Sequence, residues 1–254
     1  MTGKPRIVAI VQARMGASRL PGKVLLDIQG VPMLGRVIQR VIRARTVDDV
    51  VIATTVNPGD DSIVRYCQDL DYTWFRGDEE DVLNRYANAA AMSKADIIVR
   101  ITADCPLMDP ELIDRTVEAF LARYPDIDFG SNRGTDRLER TFPIGMDIEV
   151  MSNEALNRAD VEAKKAHERE HVTPYLYEEP GRFRTMSIDS GGDYGALRWT
   201  VDTPEDLEFI REVYARFHGR DDFGWMEVMA ILEQEPELMK INSQVQQKTM
   251  HDVG

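Results

Sequence analysis

The sequence predicts an α/β fold: a doubly wound, mostly parallel but overall mixed sheet, with a smaller excursion. Two observations carry this. Over roughly the first 120 residues, short runs rich in Val and Ile alternate with longer segments whose apolar residues recur at helical spacing, the pattern of βαβ units. Beyond residue 126 the alternation breaks into a polar stretch rich in Gly, Asn and Arg, and then resumes.

In chain order, residues 7–11 (IVAIV) are mostly β-branched and read as a buried strand. A loop over 12–23 follows, carrying Gly16, Ser18, Pro21 and Gly22. Residues 32–45 read as a helix, with Met33, Leu34, Val37, Ile38, Val41 and Ile42 on one face and Arg36, Arg40 and Arg43 turned elsewhere. The spacing predicts a strand over 50–54, a turn at Asn57-Pro58-Gly59, a helix over 60–70 and a strand over 72–75. A helix over 78–93, a buried strand over 97–101 and a helix over 110–123 complete the regular part. Residues 126–142 read as an irregular excursion, expected to lie over the active site. A strand over 146–151 resumes the sheet, Ser152 caps a helix running to about residue 166, and 183–188 and 197–201 read as later strands. Thr203 at N-cap and Pro204 at N1 start a helix through Leu207, Ile210, Val213 and Tyr214. A last helix spans about 223–233, ended by Glu235-Pro236. The expected organisation is one domain over 1–242, its excursion over about 126–195, and a loose polar tail over 243–254.

Composition narrows the function. The chain has 254 residues, is 43% hydrophobic and 30% charged, and holds enough apolar residues for a real core. No apolar run reaches the length of a membrane helix, and no signal peptide is visible. Two cysteines, Cys67 and Cys105, make no disulfide framework and no CxxC, so a reducing, cytoplasmic setting is expected. A net charge of −13 argues against general nucleic-acid binding. The charge is uneven: residues 1–45 carry nine Lys or Arg against one acid, Asp27. A basic patch in an acidic protein suits a small polyanion, although part of it can be the wet face of the following helix.

The loop over 12–23 is where such an anion would sit. It follows a buried strand, so it lies at the carboxyl end where open α/β sheets bind ligands. Its glycines admit phosphate close to the backbone, and Arg14, Arg19 and Lys23 supply positive charge with no acid between them. It is not a Walker loop, because five residues separate Gly16 from Gly22 and Val24 follows Lys23. No GxGxxG follows the strand either. The plain alternative is a surface turn with scattered charges.

Two aspartates share that setting. Asp104 follows the strand over 97–101, and Pro106 prevents the ladder from continuing. Asp202 ends the stretch over 197–201, directly before a helix. Carboxyl ends of parallel strands converge on one edge, and paired carboxylates with substrate phosphates hold Mg²⁺. Each also has a structural reading, Asp104 as a turn former and Asp202 as a helix N-terminal charge. Asp147 and Glu149 alternate along a strand and so share a face, where they can bind hydroxyls or lie on a solvent-facing edge. His167-Glu168-Arg169-Glu170-His171 fits HExxH, but its surroundings are charged and no third-ligand motif follows, so zinc-protease chemistry is set aside.

The loop sequence ARMGASRLPGKVL resembles the opening signature A-R-x-x-S-x-R-L-P-x-K of the sugar cytidylyltransferases. That family activates 3-deoxy-manno-octulosonate and sialic acids with CTP, and the likeness is nearest to its spore-coat polysaccharide branch. Four further blocks resemble it in order: FRGDEEDVLNRY, ADCPL, FPIGMDIEV with REHVTPY, and VDTPEDL. The resemblance implies a nucleotide-diphospho-sugar transferase type of sheet and a Mg²⁺-dependent transfer of CMP from CTP to a sugar or sugar acid, with release of pyrophosphate. It implies nucleotide contacts from Gln12, Ala13, Arg14, Ser18, Arg19, Lys23, Arg76, Gly77, Asp81 and Asp104. Arg14 and Lys23 would hold the β- and γ-phosphates, and Asp104 and Asp202 the metal. Asp147, Glu149, Arg169 and His171 would meet the acceptor. Phe142 stands where the branch more often has Tyr, so a phenolic contact is absent there. The block at 78–86 has a plain alternative, an ion pair between Asp81 and Arg85 on one helix. A homodimer formed through the segment after Gly130 is a further implication. The alternatives are a glycosyltransferase, whose D-x-D could only be 69–71 or 126–128, and a non-catalytic nucleotide-binding protein of a polysaccharide pathway.

Overall fold

The computed structural model describes residues 3–133 and 140–247. Its elements run β1 (Ile7–Gln12), β2 (Asp27–Ile28), β3 (Val31–Pro32), α1 (Met33–Val41), β4 (Asp49–Thr55), α2 (Asp61–Asp69), β5 (Thr73–Gly77), α3 (Val82–Ser93) and β6 (Ile97–Thr102). They continue α4 (Pro110–Leu121), β7 (Phe129–Ser131), β8 (Glu149–Ser152), α5 (Asn153–Glu162), α6 (Ala166–His171), α7 (Pro174–Tyr177), β9 (Thr185–Ser187), α8 (Pro204–Arg216) and α9 (Trp225–Gln234).

Seven strands form the main sheet in the order β5-β4-β1-β6-β8-β7-β9. The first four are parallel, β8 runs antiparallel to both β6 and β7, and β9 is parallel to β7. The expected mixed, mostly parallel, doubly wound sheet is therefore present. Both faces of β1 are covered. Ile7, Ala9 and Val11 pack with Val37 of α1, Ile113 of α4 and Ile210 of α8, while Val8 and Ile10 pack with Leu83 of α3 and Leu156 of α5. This is why residues 7–11 read as a continuous apolar run rather than an alternating one. The chain leaves β1 toward β4 and β5, then crosses back to β6 on the other side. Gln12 lies level with Thr102, so the segments leaving β1 and β6 start side by side at the switch point, where such sheets bind ligands.

Several sequence expectations need correction. Residues 197–201 do not form a strand; only an isolated bridge joins Arg198 to Ile144. The apolar residues there, Trp199 and Val201, are buried against a loop instead of a ladder. The strand expected over 146–151 begins at Glu149, and the helix expected to residue 166 ends at Glu162, where extended Ala163 breaks it before α6. The stretch 126–142, read as irregular, contains β7; its residues 134–139 lie outside the described residues. The hairpin β2–β3 was not foreseen. Its turn residues Gln29 and Gly30 both have positive φ, 51° and 85°, as a two-residue hairpin turn of that hand requires. The tail is packed as far as described: Arg19 donates to the Gln246 carbonyl and Arg198 pairs with the Gln247 side chain. Residues 248–254 lie outside the described residues. Among the described residues no helix is long and apolar enough to cross a membrane.

Candidate active site

The loop after β1 is folded on itself by its own backbone. The Met15 carbonyl accepts from Ala17 N at 3.0 Å and from Gly22 N at 2.9 Å. Met15 N in turn donates to Asp60 Oδ1 at 2.7 Å. Asp60 is only 3% exposed and also accepts from Thr54 Oγ1, Thr55 N and Thr55 Oγ1 at the end of β4. The sequence presents this residue merely as a helix start. Gly22 has φ +73°, a left-handed conformation that turns the chain into a short 3₁₀ segment beginning at Lys23. The turn directs the Lys23 side chain inward.

Lys23 Nζ donates to Asp104 Oδ2 at 2.8 Å, to Asp202 Oδ1 at 2.9 Å and to the Val201 carbonyl at 2.7 Å. Two aspartates far apart in sequence thus meet on one ammonium. Backbone contacts hold them there: Val201 N donates to the Asp104 carbonyl at 2.9 Å. Gly145, at φ +102°, lets its own loop press against the segment that leads to Asp202, because a Cβ there would lie 2.5 Å from Thr200 N. Asp202 also accepts from Arg198 at 2.8 Å and forms an ion pair with Arg19 at 2.8 Å. Arg198 is fixed by two bonds of 2.9 Å to Asp206, a fully buried carboxylate that also accepts from the Asp202 and Thr203 N–H groups. Burial alone would raise the Asp104 pKa, but the Lys23 charge and the hydrogen bonds from Lys23, Thr102 and Cys105 bring it down to about 2. Lys23 is the mirror case: burial opposes its charge, the two carboxylates outweigh burial, and its pKa is raised.

This cluster forms one end of a cleft of about 280 Å³. Gln12, Ala13, Arg14, Ser18, Arg19, Lys23, Asp104, Asp202 and His171 all line it, so the structure brings these predicted site residues together. Arg85, Arg100 and Glu170 line it as well, and the sequence analysis assigns them no site role. Arg100 Nη1 donates to Glu149 Oε2 at 2.5 Å, and Nη2 to Gln12 Oε1 at 3.1 Å. Glu149 is 1% exposed and accepts from Thr173 Oγ1 at 2.7 Å, so the solvent-facing alternative for it fails. The signal for Arg100 was available in the sequence, since a cation inside an apolar strand needs a buried partner. Between His171 and Thr173 the chain makes a tight γ-turn. Val172 has φ 71° and ψ −56°, and Thr173 N donates to the His171 carbonyl at 2.8 Å. A buried β-branched residue in that conformation is strained, and here it sits between a cleft residue and the Glu149 contact. Burial lowers the His171 pKa, with Arg100, Arg133 and His167 acting in the same direction and Glu170 against them.

Six predicted site residues do not line this cleft: Glu149, held by Arg100, and the five that follow. The Arg76 guanidinium is tied to the Thr55 and Asn57 carbonyls and to Asp61, each at 2.7 Å. Gly77 makes room for Arg85, since a Cβ would lie 2.9 Å from its Cγ. Asp81 caps α3 through Asn84 N and pairs with Arg169 through two bonds, 2.9 and 2.7 Å. The Asp81–Arg85 ion pair offered as the plain alternative is therefore not made. Arg169 also holds Asp160 of α5, and Asp147 pairs with Arg140. The HExxH histidines do not converge: His167 bonds Glu178 at 3.0 Å while His171 faces the cleft. Glu168, which with His167 and Glu178 makes a cluster tight enough for a cation, accepts from Lys164 N and Lys165 N. The possible D-x-D sites lie away from the cleft, with Asp128 bound to Arg184.

Residues 8–241 match the family model described as cytidylyltransferase. The chain is 32% identical over 238 residues to the spore coat polysaccharide biosynthesis protein SpsF of Bacillus subtilis, covering 91% of this chain and 95% of that protein. It is 30% identical over 241 residues to 3-deoxy-manno-octulosonate cytidylyltransferase of Anaeromyxobacter dehalogenans, covering 82% and 98%. Among solved structures, a cytidylyltransferase from Leptospira borgpetersenii superposes with a TM-score of 0.88 at 31% identity, covering 97% of this chain and all of the other.

Proposed function

The chain belongs to the cytidylyltransferase family, and from that premise we propose that it transfers CMP from CTP to a sugar or sugar acid, releasing pyrophosphate, in surface polysaccharide biosynthesis. The observation that carries the reading is the meeting of Asp104 and Asp202 on Lys23, beside the loop that bears Arg14, Ser18 and Arg19.

The donor set fits a hard divalent cation. It is made of carboxylate oxygens already held apart by a positive charge, with Arg19 and Arg198 fixing the outer oxygen of Asp202. Asp104 and Asp202 would hold Mg²⁺, which when bound polarises a phosphate and offsets charge on the leaving pyrophosphate. The low pKa of Asp104 keeps that carboxylate ionised and ready throughout the neutral range. Lys23 acts as the counter-ion of the two carboxylates while they carry no metal. With nucleotide bound it turns to the β- and γ-phosphates beside Arg14. The cleft residues then position the acceptor so that its hydroxyl oxygen forms a bond to the α-phosphorus as the bond to pyrophosphate breaks. The hydroxyl proton passes to solvent water in the same step, and pyrophosphate departs as the anion. Glu149, locked by Arg100 and Thr173, and His171, set by the γ-turn, orient the acceptor side. The role is one of charge stabilisation and alignment, with no covalent enzyme intermediate. A homodimer in the cytoplasm is part of the same proposal, and light scattering tests its stoichiometry.

The test is pyrophosphate release from CTP, UTP, ATP and GTP with Mg²⁺ against a panel of sugars and sugar acids. The reading expects CTP-dependent release with at least one acceptor. Release from no nucleotide, or consumption of a preformed nucleotide sugar instead, would defeat it.

A further inference from the structure

Arg85 lies in the first turns of α3 and reaches past Gly77 into the wall of the cleft. The residue is 2% exposed. Nη1 donates to the Asp78 carbonyl at 2.6 Å and, at the limit of a hydrogen bond, to the Glu79 carbonyl at 3.5 Å. Nε is sealed from solvent without an acceptor. Among the described residues neither Nη2 nor the guanidinium charge as a whole has a partner in a carboxylate.

Other buried arginines of this protein are treated differently. Arg40, with no exposed surface, satisfies all three of its nitrogens on the carbonyls of Met108, Asp221 and Phe223 at 2.7–3.0 Å. Arg36 adds Asp221 to its carbonyl partners, and Arg100 has Glu149. Arg100 Nε also lacks an acceptor, but its two Nη atoms reach Glu149 and Gln12. Among the described residues Arg85 is the one of these four whose nitrogens meet neither a carboxylate nor a full set of carbonyls, and it shares its cleft with Arg14. Burial lowers its pKa, with the Arg14 charge acting in the same direction and Tyr86, Asp60 and Glu79 against it; neither carboxylate is in ion-pair contact with it among the described residues. A buried polar group without a partner is costly, and a buried charge more so. The sequence nevertheless reserves space for it: Gly77 has no Cβ to obstruct the Arg85 stem.

We propose that Arg85 is an oxyanion ligand of the cleft, and that with Arg14 it grips the phosphate chain of the bound nucleotide. This rests on the nucleoside triphosphate reading above and adds to it a buried contact from α3. A guanidinium suits the task because its fork of donors matches phosphate oxygens and cannot lose its charge.

The test is calorimetric titration of CTP, cytidine and inorganic tripolyphosphate, each with Mg²⁺ and without acceptor, into the wild type, Arg85→Gln and Arg85→Lys. The expected result is CTP binding at least tenfold weaker in Arg85→Gln, with tripolyphosphate weakened in parallel and cytidine unchanged. Arg85→Lys, keeping the charge but losing the fork, falls between. If the Gln variant does not fold, the Lys variant decides, with at least a threefold loss expected. Wild type and variants binding CTP equally tightly would overturn this inference and leave the nucleotide reading intact. Cytidine weakened as much as CTP would overturn the phosphate assignment. A wild type that takes up neither CTP nor tripolyphosphate would remove both readings at once.

Discussion

Replacing Lys23 by Met removes one charge and keeps most of the buried stem. In the wild type the ammonium touches Asp104, Asp202 and the Val201 carbonyl within 2.9 Å. Asp202 keeps Arg19 and Arg198 in the variant, but among the described residues Asp104 has no other ion-pair partner. The depression of Asp104 to about 2 from an unfolded value near 3.8 corresponds to about 2.5 kcal/mol of native-state stability at neutral pH. The raised Lys23 pKa is the same contact seen from its partner and adds nothing further. With both carboxylates newly facing each other, the expected loss is about 2–4 kcal/mol, or roughly 5–15 °C in Tm for a chain of this size. The sign with pH is fixed. Because the folded pKa of Asp104 is the lower one, its contribution is full above the unfolded value and is lost as pH falls through about 2. Urea unfolding at pH 7 and pH 3 should therefore show a gap between wild type and Lys23→Met that shrinks to about half at the lower pH. Magnesium should also raise the Tm of the variant more than that of the wild type, because the competing ammonium is gone. A variant within about 0.5 kcal/mol of wild type at pH 7, or a gap independent of pH, would refute the reasoning.

Three further outcomes are expected. Asp104→Asn should abolish pyrophosphate release while far-UV circular dichroism stays that of the wild type; near-wild-type turnover would end the metal assignment. Gly145→Ala places a Cβ 2.5 Å from Thr200 N at φ +102°, so it should destabilise by about 2 kcal/mol or more and weaken activity through displaced Asp202, both readable by melting and steady-state rates. His171 has a folded pKa below its usual value, so the unfolded chain takes up its proton first. Stability should fall as pH drops below about 6.5, and His171→Asn should flatten that part of the profile; an unchanged slope would show the imidazole is solvated.

The parallel half of the sheet was readable because its strands are buried on both faces and so appear as unbroken apolar runs, as in 7–11 and 97–101. The meeting of Asp104 and Asp202 was expected from two strand ends, yet only Asp104 follows a strand, β6; Asp202 arrives on a segment outside the sheet that is tied to the Asp104 carbonyl by Val201 N. The 197–201 stretch misled because burial of Trp199 and Val201 against a loop gives the same apolar signal as a ladder. Asp60 could not be found, since a carboxylate after a Pro-Gly turn looks like any helix start; its hold on Met15 is a tertiary contact. The position of Arg169 was also beyond the sequence. The resemblance puts it at the acceptor, but its partners Asp81 and Asp160 come from the cap of α3 and from α5. Arg85 was visible as part of a block that the resemblance puts near the nucleotide, and as half of a local ion pair that the cap on Asn84 and the Arg169 contact take from it.

The central claim is that one metal–triphosphate lies between Asp104, Asp202 and the loop after β1. Manganese electron paramagnetic resonance in the presence of CTP measures it directly. The account predicts Mn²⁺ taken up with CTP by the wild type, and loss of that bound signal in both Asp104→Asn and Asp202→Asn, each folded as judged by its melting. Retention of the wild-type signal in both variants would contradict it.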